Sequence, residues 1–258
     1  MDYVAHLHRE AAAFEAAARR AGELDRAPIV PSCPGWSVAD LVLHLGGVHR
    51  LIAAVVRDRI TSPPNLSGVS LPRQEGWPDP NDAPNLVPLP ASLVDWFAAG
   101  AEALVTTLRE TAPGEQVWTW SAEQNVGFWQ RMQAIEAAVH RWDAENAVGT
   151  PAPVDPELAA DAVAQTFQVM APARRAWRGA PPGSGERLAF RQTDGADRWV
   201  VHFDGTHVRL DDGAAPVELA GSASDLMLFL WQRTGTDRLT VTGDAALADR
   251  YFTLVPPM

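Results

Sequence analysis

The chain has 258 residues, 47% hydrophobic and 21% charged, with a net charge of −11; that is enough apolar material for one large or two ordinary domains, and without a basic stripe it argues against a nucleic acid or anionic membrane partner. Every Lys/Arg position is Arg, which removes Schiff-base and P-loop lysine chemistry and leaves Arg for bidentate carboxylate binding. Cys33 is the single cysteine, so an intrachain disulfide and a cysteine-built zinc site are excluded, and Cys33 is expected to be a small packing residue.

The N-terminus opens directly into an amphipathic pattern, with neither a basic n-region nor an apolar h-region, and no apolar run reaches membrane-spanning length. A cytoplasmic protein is expected. Val4, Leu7, Ala11, Phe14 and Ala18 recur at helical spacing and Gly22 supplies a stop, predicting a first helix over Asp2–Ala21. His6 and His8 in its first turns are expected to be exposed or half-exposed polar residues rather than ligands. Pro31-Ser32-Cys33-Pro34-Gly35-Trp36 forms a rigid turn, and Ser37-Val38-Ala39-Asp40 is a start signal of the capping-box kind for a second helix over Val38–Arg57. Its predicted core stripe is Leu41, His44, Val48, Leu51 and Val55. His44 therefore falls among the buried positions, while His49, roughly 140° further round, points away from any site that His44 serves.

Eight of the 21 prolines fall between Thr61 and Pro90, with Gly68, Gly76 and several Asn and Asp, which predicts a long loop, with Trp77 a candidate anchor. A third helix is expected over Leu93–Thr111, started by Ser92-Leu93-Val94-Asp95 and ended before Pro113-Gly114. The fourth, running from Phe128 through Asp143, places Phe128, Met132, Ile135 and Val139 on one face. Residues four apart on a helix differ in direction by only about 40°, so Glu136 and His140 project together from that face. They can bond each other, meet an Arg from a neighbouring helix, or share a divalent cation, which suits a carboxylate and an imidazole at once. With His44 from the second helix they make a His-Glu-His set that leaves coordination positions open. Four helices with one long connection imply an all-α four-helix bundle over residues 1–148, an architecture that builds metal sites from inward side chains.

From Gly149 the character changes. Pro151, Pro153 and Pro156 mark a linker, and Asp155-Pro156 is an N-cap and first-turn pair for a helix to about Trp177. Alternating segments at Arg187–Gln192, Arg198–Phe203, His207–Leu210 and Val217–Leu219 predict an antiparallel sheet. A short helix over Ser224–Arg233, a strand over Arg238–Thr242 and a last helix over Asp244–Leu254 complete an α+β domain over residues 149–258.

Pro31 to Gly46 followed by Glu136-Ala137-Ala138-Val139-His140-Arg141-Trp142-Asp143 resembles the mycothiol-dependent maleylpyruvate isomerase family of actinobacteria. Gly221-Ser222-Ala223-Ser224-Asp225-Leu226 and Leu239-Thr240-Val241-Thr242-Gly243-Asp244 extend the resemblance to nearly the whole chain. It implies a DinB-like four-helix bundle, a sterol-carrier-like C-terminal domain, and a zinc site at His44, Glu136 and His140. Arg233, after Leu230-Trp231-Gln232, is the best match to an active-site Arg that holds a substrate or cofactor carboxylate. The implied cofactors are the divalent metal, zinc first, and mycothiol; the partners are that thiol and a small electrophilic substrate such as maleylpyruvate. The implied isomerase chemistry is thiolate addition to a conjugated cis double bond, rotation, and elimination of the trans product. An S-transferase would release the adduct instead. The contrasting reading is a non-catalytic small-ligand-binding protein with a structural metal, which Asp143 as a fourth ligand would favour; Asp143 is expected beside His140 instead, off the metal.

Overall fold

A computed structural model describes residues 1–64, 74–149 and 151–257. Of the loop expected between Thr61 and Pro90, the stretch 65–73 with Gly68 lies outside the described residues, as does Thr150 of the expected linker. The chain divides into two compact units, Met1–Ala152 and Pro153–Met258.

Four long helices build the first unit: α1 (Tyr3–Gly22), α2 (Val38–Arg57), α3 (Ala91–Glu110) and α4 (Val126–Val148). α1 packs on α4 and α3, and α2 on α3 and α4. His6 of α1, expected to be exposed or half-exposed, is buried. The caps follow local chemistry. Asp2 receives the Ala5 N–H, Ser37 and Asp40 form a reciprocal capping box, and Asn125 receives the Phe128 N–H. α3 departs from expectation: it starts at Ala91 behind Pro90 with no side-chain cap. Ser92 is engaged elsewhere, accepting the Trp77 indole N–H at 3.0 Å, and the Trp77 ring packs on Trp96 with centroids 5.4 Å apart. α2 and α3 approach closely at two glycines. A Cβ on Gly46 would lie 2.2 Å from the Trp96 ring, and one on Gly100 2.1 Å from Arg50.

Two corrections concern α2. By length and composition it suffices to cross a membrane, contrary to the sequence expectation, although 67% of its most apolar stretch is buried inside the protein. The helix also buries more than one face, since it touches α3 and α4. His49 is therefore fully buried, whereas His44, expected in the core, keeps 34% of its side chain exposed. The unit is not all-helical either. Ile29–Val30 (β1) and Cys33–Ser37 (β2) form a two-stranded antiparallel ribbon around the Pro31-Ser32 turn. β1 packs on α4 and β2 on α2.

The second unit opens with α5 (Pro156–Gln165), capped by Asp155, followed by a π-helical turn over Thr166–Met170 and α6 (Ala171–Arg178). The widened turn precedes Pro172, which has no N–H to continue the α-helical ladder. Five strands follow in the order β5-β4-β3-β6-β7: β3 (Gly183–Gln192), β4 (Arg198–Gly205), β5 (His207–Asp211), β6 (Val217–Gly221) and β7 (Thr240–Gly243). The sheet is mixed, correcting the antiparallel expectation, because β6 pairs parallel to β3. Asp211 at the end of β5 is level with Val200 and Ala189, and β6 begins beside Leu188. The chain crosses three strand spacings, about 14 Å, without returning to the foot of the sheet, a span within the reach of the Asp212–Pro216 segment at about 3.3 Å per residue. α7 (Ala223–Leu230) packs on α5 and the sheet, and the expected last helix is two short ones, α8 (Ala245–Asp249) and α9 (Tyr251–Leu254). Phe190, Phe203, Phe229 and Phe252 surround the buried Tyr251 ring.

Candidate metal centre

α4 presents Glu136 and His140 one turn apart, and α2 brings His44 against them. The candidate ligand atoms of the three residues all lie within 4.8 Å of one another. His44 Nε2 is 3.5 Å from Glu136 Oε1, and the two imidazoles meet nearly edge to face with centroids 5.2 Å apart. A charge-assisted hydrogen bond is shorter, about 2.7–2.9 Å. The separation matches the edge of a tetrahedron, about 3.4 Å, around a cation bound at about 2.0–2.1 Å by nitrogen and oxygen.

The surroundings define each group's role. Gln133, fully buried one turn before Glu136, donates its amide N–H to Glu136 Oε2 at 2.9 Å, leaving Oε1 toward His44. Burial alone pushes the Glu136 carboxyl up. The adjacent His44 imidazole, with those of His140 and His49, outweighs it and holds the group below the ordinary carboxylate value. Asp143 Oδ2 lies 3.1 Å from His140 Nδ1, and its other oxygen accepts the Ser32 hydroxyl at 2.7 Å. Asp143 thus stands beside His140 and outside the three-residue cluster. Beneath the site, His49 rests on Phe97 with ring centroids 5.4 Å apart and neither ring nitrogen hydrogen-bonded. Burial drives its pKa down to about 4, with the Glu136 charge only partly opposing.

The donor set fits a divalent cation: two imidazoles and one carboxylate, converging on a place that His44 leaves open to solvent. Three protein ligands with an accessible side is the arrangement of catalytic rather than structural zinc. Arg233 belongs to the other unit. α7 ends with the Gln232 N–H on the Phe229 carbonyl and the Arg233 N–H on the Leu228 carbonyl, with Gln232 in the left-handed region at φ 58°. That turn presents Arg233, whose Nη1 donates to the Trp231 carbonyl at 2.8 Å. Cys33 sits in β2, partly buried against the helical core. Sequence reasoning treats Ser32 only as a turn residue and passes over Gln133, although a Gln three positions before an inward Glu is placed to bond it.

Comparison with known proteins adds the family. Residues 4–145 match the mycothiol maleylpyruvate isomerase N-terminal domain, and residues 157–250 match the MDMPI C-terminal domain. Among curated proteins none matches the sequence. Two solved structures share the fold: the mycothiol-dependent maleylpyruvate isomerase and a variant of it with His replaced by Ala. Their TM-scores are 0.58 and 0.59 and their identities 14% and 15%, each alignment covering 94% of this chain and 92% of the other. With both family domains matched in order over most of its length, the chain belongs to the mycothiol maleylpyruvate isomerase family.

Proposed function

We propose that the chain is a mycothiol-dependent isomerase of a small, carboxylate-bearing electrophile such as maleylpyruvate. In this reading a divalent cation, zinc by its donor set, is held by His44, Glu136 and His140. The observation that carries it is the convergence of three electron-pair donors, within 4.8 Å of one another, on a solvent-accessible position. A cation bound there lowers the pKa of a coordinating thiol, so that it ionises at neutral pH.

The chain's own residues do the rest. Glu136, held ionised, offsets the cation's charge, and Gln133 fixes its orientation. His49 stays neutral at pH 7 and adds no positive charge beneath the site. Arg233 binds the substrate or cofactor carboxylate through its planar fork. Cys33 is not needed, because the nucleophile enters with the thiol. The same reading takes the helical unit as a DinB-like four-helix bundle over residues 1–148 and residues 149–258 as the sterol-carrier-like domain, in a cytoplasmic protein without nucleic acid or membrane partners.

The test is metal content of the purified protein by plasma mass spectrometry, then mycothiol titration of the cobalt-substituted form and product analysis with maleylpyruvate. One cation per chain, a sulfur-to-cobalt charge-transfer band and a trans product are expected. A released thioether adduct would make it an S-transferase. Metal without any thiol response would sink the enzyme reading in favour of a ligand-binding protein with a structural metal.

A further inference from the structure

The Pro31–Trp36 turn takes no part in the function proposed above. The ribbon around it bridges the two ligand-bearing helices, since β1 packs on α4 and β2 on α2. From its turn, the Ser32 hydroxyl donates to Asp143 Oδ1 at 2.7 Å, and Asp143 Oδ2 meets His140 Nδ1 at 3.1 Å. Carboxylate oxygens accept, so Nδ1 carries the ring proton and Nε2 is the ring's electron-pair donor. From β2, the Trp36 ring meets the His44 imidazole with centroids 5.0 Å apart and planes at 65°. A helix fixes where a histidine's Cβ lies but leaves the last torsion of its side chain broad. Both imidazole planes therefore need an outside constraint, and one ribbon touches the means of fixing each.

We propose that the β1–β2 ribbon is the positioning element of this centre. Ser32 holds the Asp143 carboxylate that sets the tautomer and plane of His140, and Trp36 sets the plane of His44. The role of these residues as positioners of a metal ligand rests on the metal reading, whereas the orientation of the imidazoles does not. The experiment separates the two.

In the metal-free protein, nitrogen-15 spectra of the histidine rings, with His140 assigned by its loss in His140→Gln, should show the Nδ1-protonated tautomer. Asp143→Asn should convert it to a tautomer mixture, whereas Ser32→Ala should keep the tautomer but shift and broaden the Nδ1–H resonance as the carboxylate loses its anchor, and Ser32→Thr should match the parent. Zinc affinity, measured against a chromophoric chelator, should fall about tenfold in Ser32→Ala and up to about a hundredfold in Asp143→Asn. Trp36→Leu should weaken it several-fold, with Trp36→Phe near the parent. If Asp143→Asn fails to fold, Ser32→Ala and Trp36→Leu decide alone. An Nδ1–H resonance and zinc affinity both unchanged in Ser32→Ala overturn the proposal, as does a loss confined to melting temperature, and so does an unchanged His140 tautomer in a folded Asp143→Asn. A parent that binds no zinc would defeat the metal reading, and the histidine Nδ1–H resonance in Ser32→Ala would still judge the ribbon.

Discussion

In the helical unit, His44, Glu136 and His140 bring potential ligand atoms together, whereas in the sheet unit Arg174 and Arg175 turn their buried guanidiniums toward backbone carbonyls. Arg175 donates to the carbonyls of Leu254, Pro181 and Gly205 at 2.6, 3.1 and 2.9 Å, and Arg174 to that of Leu230 at 3.1 Å. Burial lowers the pKa of both arginines, yet a guanidinium remains charged in proteins and gains from each carbonyl dipole. The difference lies in what completes each cluster. Arg175 is matched by acceptors from its own unit, so its charge ties the chain end to the sheet. The His-Glu-His cluster gathers three potential ligand atoms within 4.8 Å of one another, which in the proposed reading a cation from outside completes.

The largest effect should come from removing the charge that this cation would meet. Glu136→Ala is expected to weaken zinc binding about a thousandfold, on the order of 4 kcal/mol, and to abolish turnover with it, while far-UV circular dichroism stays at the parent level. His44→Ala should behave alike. Turnover that survives complete metal loss in either variant would contradict the mechanism. Arg175→Met probes the opposite use of charge. It leaves three carbonyls without their donor and should cost about 2–4 kcal/mol in a urea titration, with zinc affinity unmoved. A stability loss below about 0.5 kcal/mol would show that water replaces the guanidinium without penalty.

Arg233 distinguishes an arginine that acts on a ligand from one that holds the fold. Its Nη1 donates to the Trp231 carbonyl, and its planar fork is the proposed carboxylate binder. Arg233→Ala should keep the metal and the folded state and lose about 10–100-fold in kcat/KM, the scale of a charge-assisted carboxylate contact. Arg233→Lys should recover only part of that, since an ammonium lacks the planar fork. An unaltered rate would remove Arg233 from the site.

Which parts of this are legible in the sequence follows from the range of the forces involved. α2 is visible down to its first residue because the Ser37–Asp40 box and the apolar spacing are local, and α4 is visible because Phe128, Met132, Ile135 and Val139 recur along one face. The pairing of Glu136 with His140 is local as well. Their meeting with His44 depends on helix packing; the inward positions on the two helices suggest it beforehand and the family resemblance adds to it. Other features leave no local mark. Pro, Gly and Cys obscure the strand character of the β1–β2 ribbon, and strand alternation is the same for parallel and antiparallel pairing, so the β3–β6 direction is invisible. A single apolar stripe also fails for a helix covered on two faces, and the burial of His44 and His49 is exchanged for that reason. Ser32 and Gln133 look like any surface polar residue until Asp143 and Glu136 are seen beside them.

His49 offers the smallest and sharpest test, because it is buried and titratable yet lies outside the ligand set. Its pKa falls from the ordinary 6.5 to about 4 on folding. Between those values the unfolded chain binds a proton that the folded one refuses, so stability rises with pH across this window. The contribution is fully present above pH 6.5 and is lost progressively as the pH falls toward 4. Cooling the comparison to one modest step, from pH 7.5 to 5.5, the metal-free parent should lose on the order of 1 kcal/mol from this group alone. His49→Phe, which retains a ring against Phe97 and removes two buried nitrogens that lack hydrogen bonds, should flatten that part of the pH profile and be no less stable than the parent at pH 5.5. Urea titrations of both proteins at the two pH values measure the difference directly. An identical pH slope in parent and variant would mean that His49 takes up its proton inside the folded protein, and that the place beneath Glu136 is more polar than its burial implies.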